Sequence, residues 1–483
     1  MRIASIDQGT TSTRAIMVGD DGQIEVVHAI PHQQHYPKDG CVEHDPEEIV
    51  ANILTCIEAC ISAHGPLDAI GIDNQGESCL AWDAETREAL SPILVWQDNR
   101  TAAELDTLRK DGAESETLAR AGLPLDPYFS ASKLSWILTH NPKAKAAHQR
   151  GTLRLGTTDA FFLHRLTGRC VTDATTASRT SLMNLETLTW DETLCSLFGV
   201  PMECLPEIVP TTGDFGAIKT EQGSVPVTAS IVDQQAALYG FGCRDKGQAK
   251  ITFGTGAFAL MVTGDTIINR PDLGLLPTVA WQMQGQRPTY ALDGGVFSAS
   301  AAVNWGRSLG LFKSYNEINS FEASPAIERG LAFVPALTGL GCPHWQTDAR
   351  GCWLGLSIEH HPTDLMQALL EGVALRAAEV IEAMNECLPI SGDLLIDGGM
   401  SGNTYFTQFL ANATGRGIRR ARIPELTGLG TLSLAAEQTG ESISAKIDFE
   451  HKSCKQQNMA HLLKFRQAIT IAQKWSNGEV CAL

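Results

Sequence analysis

The chain has 483 residues, too many for one hydrophobic core, so its length favours two or more domains. Its 37 Lys and Arg stand against 55 Asp and Glu, and the resulting net charge of −18 argues against a nucleic-acid or anionic-membrane surface while suiting a small neutral ligand. The N-terminus lacks a cationic stretch leading into an apolar core, no apolar run is long enough to span a bilayer, and 13 cysteines occur without a CxxC pair, so reduced thiols and a cytoplasmic location are expected.

Ile3-Ala4-Ser5-Ile6 and Ala15-Ile16-Met17-Val18 read as two strands. The turn between them carries Asp7, Gly9, the hydroxyls of Thr10, Thr11, Ser12 and Thr13, and Arg14. Such a hairpin suits phosphate: Gly9 lets backbone approach, N–H groups and hydroxyls donate, and Asp7 can hold a hydrated Mg²⁺. Taken alone it is equally an ordinary turn. Further on, Cys56, Cys60 and His64 recur every four residues on one predicted helix face, but the outer two would stand roughly 12 Å apart, so core packing is expected rather than a shared metal.

Ser230-Ile231-Val232 reads as a strand ending at Asp233. That carboxylate either projects into a cleft, where it can take a hydroxyl proton, or caps a helix starting at Gln234; the two roles are compatible. The glycine-rich Tyr239–Gly247 stretch marks a boundary between domains at 1–242 and 243–483. Directly after it, Ala249–Phe253, Gly254-Thr255-Gly256 and Ala257–Val262 repeat the strand, Gly-Thr turn and strand of the N-terminus, the pattern of an internal duplication. His360 and His361 suit a loop or helix start, and Thr363 is expected to cap a core helix carrying Leu365, Leu369, Val373, Ile381 and Met384. Leu394-Leu395-Ile396 then breaks into Asp397-Gly398-Gly399-Met400-Ser401-Gly402-Asn403, where a nucleotide could lie on bare backbone. The last long helix, around Leu462–Trp475, is amphipathic without recognisable chemistry.

Tyr128 through His140, and Gly351-Cys352-Trp353-Leu354-Gly355-Leu356 continuing to Glu371, resemble the two signatures of the FGGY carbohydrate kinases. Val42–Pro46, Leu125–Pro127, Val232–Leu238 and Leu337–Gly341 extend the likeness over nearly the whole chain, most closely to the glycerol kinase branch. The resemblance implies an α/β fold of two actin-like, ribonuclease H-like domains with an ATP cleft between them. The first would bind the acceptor and the second the nucleotide. It implies ATP and Mg²⁺ as cofactors, Asp7 as the metal residue, and Thr10, Thr11, Ser12, Arg14, Thr255, Ser300, Asn304, Gly399 and Asn403 on ATP. Asp233 would be the general base, with Gly76, Glu77, Trp96, Tyr128, Gln234 and Phe258 around the acceptor, a small polyol or sugar.

The branch would have Gly at Ser300, Gln at Asn304, a hydroxyl-gripping arginine at Gly76, and Cys-Arg at Asp98-Asn99. Gly76 is therefore expected to open space beside Glu77 for a four- or five-carbon polyol or ketose that meets Asp98 or Asn99, unless Arg100 or another side chain refills the gap. Glu221–Pro226 lacks the arginine of the loop used by relatives that fructose 1,6-bisphosphate inhibits, so no such inhibition is expected. The expected activity is phosphorylation of a terminal hydroxyl. An ATPase of the chaperone or filament kind would not need the acceptor set, and a non-catalytic sugar sensor would not need Asp7 and Asp233. A homo-oligomer is left open.

Overall fold

Buried Ile3, Ala4 and Ile6 on the strand Ile3–Gln8 pair with buried Ala15, Ile16 and Met17 on Ser12–Val18, and the chain starts with the expected antiparallel hairpin. In this computed structural model the described residues are 1–19, 21–423, 425–440, 443, 447–455 and 459–478. Ile24–Pro31 extends the hairpin on one side. On the other, Ala69–Asn74 and then Gly223–Val232 add in parallel, and Ala217–Thr220 closes the edge antiparallel.

The second large sheet repeats this plan. Ala249–Phe253 pairs antiparallel with Ala257–Gly264, to which Thr289–Val296 and Leu276–Trp281 add antiparallel. On the opposite side Leu394–Gly398 and Ile418–Ala421 add in parallel before an antiparallel edge at Phe449–Lys452. From hairpin to edge, both sheets run antiparallel, parallel, parallel, antiparallel, which bears out the duplication read from the two Gly-Thr turns.

The helix Pro46–His64 packs on the first sheet. Asp45 caps it by accepting from the Glu47 N–H, Pro46 opens it, and Ile49, Ile53, Cys56, Ile57 and Cys60 form its buried stripe. Cys56 and Cys60 are thus core residues, as expected, and burial pushes the Cys60 thiol up to about 12. The long helix Pro362–Cys387 lies in the core of the second half. Its cap is His361 rather than Thr363. The His361 N–H donates to Asp364 at 2.8 Å in a capping box, and Pro362 supplies the preset first residue.

Two helices join the halves. Asp233–Gly240 leaves the first sheet, and Leu426–Gln438 returns from the second half to pack on the strands that hold Asp7 and Asp73. A Cβ at Gly240 would lie 2.0 Å from the Leu426 carbonyl oxygen, and one at Gly430 would lie 1.8 Å from that of Ala236. Only glycine permits this crossing, which sets the helix beginning at Asp233 directly against the returning one. No helix among the described residues is long and apolar enough to cross a membrane.

Candidate active site

The carboxyl ends of three neighbouring parallel strands bring Asp7, Asp73 and Asp233 to one edge. Asp7 and Asp73 are register partners, and Val232, immediately before Asp233, is the partner of Asn74. Burial raises Asp7, and burial reinforced by the Asp7 charge holds Asp73 well above the usual carboxylate range. Asp73 accepts from the Thr431 hydroxyl at 2.7 Å and shares a side-chain hydrogen bond with Asp7. Asp233 is pushed up to about 7, first by burial and then by the charges of Glu77 and Asp7, against the pull of Lys250. It is the first residue of its helix and accepts from the Gln234 N–H at 2.7 Å, so the carboxylate stands where the strand ends and the helix begins.

The turn after Asp7 is held from behind. The Gly9 N–H donates to Ser12 O at 3.0 Å, the His32 ring nitrogen lies 3.0 Å from Thr10 O, and Arg14 Nε donates to Ser12 Oγ at 3.3 Å. Opposite it, in the second half, Thr255 is exposed at the tip of its turn, with Ser300 N–H donating to Gly254 O. Gly399 is exposed beside Ser300, whose Oγ would be 3.9 Å from an added Cβ. The turn Gly254–Gly256, Ser300 and Gly399 therefore converge. Two other expected nucleotide residues are already engaged. Asn403 caps the next helix through Phe406 N–H and donates to Ile318 O, and exposed Asn304 accepts from the Tyr315 hydroxyl at 2.7 Å.

Trp96 and Tyr128 meet edge to face at 5.6 Å, and Phe258 from the second half stands 6.3 Å from Trp96 at 87°. These three rings line a cleft of about 470 Å³ between the halves, with exposed Asn99 at its mouth. Glu77 lies behind Tyr128 at 4% exposure, raised by burial and held by Arg179. Gln234 accepts from the buried Lys250 ammonium at 2.7 Å, which fixes its side chain.

Against expectation, Gly76 does not border open space at the position a Cβ would take. A Cβ at Gly76 would meet Val232 Cγ1 at 3.0 Å, so the position packs under the strand that presents Asp233. Nor does Arg100 refill it, being paired with Asp98 and Glu43 and stacked on Trp136. Asp98 is corrected as well: it is fully buried, with both oxygens taken by Arg100 and the Val42 N–H, and it cannot meet an acceptor. The arginine beside Glu77 is Arg179, from the segment after the short helix Ala174–Ala177.

Sequence reasoning missed Asp73, Arg179 and Lys250. Lys250 left a legible signal, a lone charge inside an apolar strand; Arg179, in a run of Ser and Thr, left none.

Two duplicated α/β halves, each with a Gly-Thr turn, an aromatic-lined cleft between them and three aspartates gathered at neighbouring strand ends have the form of a phosphotransferase of sugar-like acceptors. The chain belongs to the FGGY family of carbohydrate kinases, matching that family's N-terminal domain over residues 2–240 and its C-terminal domain over residues 249–438. It is 43% identical over 442 residues to a glycerol kinase of Thermus brockianus, covering 89% of this chain and 88% of that one. To a glycerol kinase of Aromatoleum aromaticum it is 37% identical over 493 residues, covering 98% and 99%. Among solved structures, the glycerol kinase of Plasmodium falciparum with ADP superposes with a TM-score of 0.89 at 30% identity, covering 98% of each chain. A ligand-bound xylulose kinase of Lactobacillus acidophilus gives 0.86 at 22% over 100% and 99%, a likeness of fold alone. The expected two actin-like domains are the observed fold, and the protein is a carbohydrate or polyol kinase.

Proposed function

We propose that this kinase transfers the γ-phosphoryl group of ATP to a terminal hydroxyl of a small polyol, glycerol before others. The observation that carries the reading is the position of Asp233 at a strand end beside those of Asp7 and Asp73, where burial first and then the charges of Glu77 and Asp7 push it up to about 7. A carboxylate so poised accepts the hydroxyl proton near neutral pH.

The residues fit the nucleotide and its cation. Exposed Thr11 and Thr255 and the bare backbone of Gly398 and Gly399 leave donors free for phosphate oxygens. Asp7 and Asp73 stand side by side at the strand ends, both raised by burial, and a divalent ion would let the two carboxylates ionise together. Among the described residues no three His, Cys, Asp or Glu side chains form a cage for direct coordination. That suits Mg²⁺, which keeps several of its waters. Mg-ATP, when bound, supplies the phosphoryl group with its charge neutralised.

The chain's own residues do the rest. Trp96 and Phe258 hold the carbon skeleton and exclude water, Glu77 and Tyr128 take the remaining hydroxyls, Gln234 braces the base from Lys250, and Asp233 receives the proton.

ADP release measured with Mg-ATP over a panel of glycerol, erythritol, xylitol and xylulose tests this. Glycerol should give the highest kcat/KM. Release without an acceptor would instead indicate an ATPase, and polyol binding without release a sensor. Preference for a five-carbon acceptor would favour the second reading, whose support is the size of the cleft and Asn99 at its mouth.

A further inference from the structure

Arg179 is 2% exposed, yet one of its donors is unused. Nε donates to Glu77 Oε1 at 2.6 Å, Nη2 pairs with Asp293 Oδ2 at 2.9 Å, and Nη1 has no hydrogen-bond partner among the described residues. The guanidinium carbon lies 5.8 Å from the Tyr128 ring centre and 5.5 Å from that of Phe129, so aromatic faces limit where the group can turn. A buried N–H without an acceptor is costly, and each one in a folded protein calls for a reason.

Glu77 shows a second departure. Its backbone is left-handed, with φ +57°, a conformation that costs energy for any residue but glycine and that collects at ligand sites. It is held there by Ser130 Oγ, which donates to the Glu77 carbonyl at 2.9 Å, and by Arg179. Oε1 is committed to Arg179, and among the described residues no donor reaches the other carboxylate oxygen. Arg179 Nη1 and the second Glu77 oxygen are thus both left for a ligand, in the buried layer next to Tyr128, which lines the cleft. Asp293 lies on the strand Thr289–Val296 of the second sheet and Glu77 just beyond a strand of the first, so Arg179 also ties the two halves together at this point.

We infer that Arg179 is a specificity-determining residue of the acceptor pocket, its Nη1 donating to one hydroxyl oxygen of the acceptor while Glu77 accepts from the adjacent hydroxyl. The pair reads a vicinal diol, because each hydroxyl can both give and take a hydrogen bond and two on neighbouring carbons span a donor and an acceptor set together. An acceptor without the second hydroxyl leaves one buried group unpaired, which is how polar pockets reject deoxy analogues. The inference deepens the acceptor reading of the proposed kinase and rests on it.

The test titrates tryptophan fluorescence of the full chain, without nucleotide, with glycerol, 1,2-propanediol and 1,3-propanediol, in wild type and Arg179→Lys. Lysine keeps the charge between Glu77 and Asp293 and removes the fork. Wild type should bind glycerol and 1,2-propanediol roughly ten-fold to a hundred-fold more tightly than 1,3-propanediol. The variant should lose that difference, hold ADP within two-fold of wild type, and lose far more kcat/KM than kcat on glycerol. Unchanged discrimination between the diols, or equal losses of glycerol and ADP affinity, overturns the inference. Should Arg179→Lys not fold, Arg179→Gln combined with Asp293→Asn removes one charge of each sign and is read the same way. Diol discrimination by a wild-type chain that releases no ADP would overturn the kinase reading and leave Arg179 its role. Turnover without discrimination would do the reverse, and no polyol binding at all would overturn both.

Discussion

The indole N–H of Trp96 donates to the hydroxyl of Thr10 at 3.1 Å. A wall of the acceptor cleft is thereby fastened to the tip of the phosphate turn, so the ring cannot shift without disturbing the hydroxyl.

Trp96→Phe keeps an aromatic wall and removes this bond. A neutral hydrogen bond contributes about 1 kcal/mol, or about five-fold, and the loss should raise KM for both glycerol and Mg-ATP. Steady-state kinetics with each substrate varied in turn checks this. An unchanged KM for ATP would show that the two sites are not coupled through Trp96.

Asp233→Asn should lower kcat by roughly 10²-fold or more while Mg-ATP binding, followed by calorimetry, stays intact. In wild type the base works only when ionised. With Asp233 at about 7, kcat/KM should therefore fall as pH drops through that region and reach a plateau above it. The charge of Asp7 helps to raise Asp233, so Asp7→Asn should move this limb to lower pH. A flat profile between pH 5 and 8 would remove Asp233 from the proton transfer.

For the cation, Asp7→Asn should raise the Mg²⁺ concentration needed for half-maximal activity by roughly 10- to 100-fold. Direct Mn²⁺ binding in the presence of ADP, measured by electron paramagnetic resonance, should weaken in parallel. If neither changes, Asp7 shapes the hairpin and does no more.

Gly76→Arg would appear from sequence to restore a grip on glycerol. In the structure its first side-chain carbon meets Val232, the residue before Asp233, and must push it aside. The shift of a few tenths of an ångström that this contact demands is passed from Val232 to Asp233, so kcat should fall for every acceptor while the preference for glycerol over xylitol stays as it was. A shift in preference at unchanged kcat would return position 76 to the pocket wall.

Sequence by itself determined the two Gly-Thr hairpins, their duplication, the loop at Gly398-Gly399, a helix beginning within one residue of Gln234 and the core role of Cys56 and Cys60. Each of these is written within a dozen or so neighbouring residues, where strand period, helix period and glycine decide the outcome locally. Only the tertiary structure decided what those pieces face. Arg179 reaches Glu77 across 102 residues and Thr431 reaches Asp73 across 358, and no spacing rule carries such distances. Gly76 read as a missing side chain, and packing against Val232 made it a point of support for the base. Asp98 read as a polar group near the mouth, and Arg100 drew it inside. Buried charges settle wherever folding supplies a counter-charge or a donor, and that partner is fixed by strand register and helix packing rather than by position along the chain.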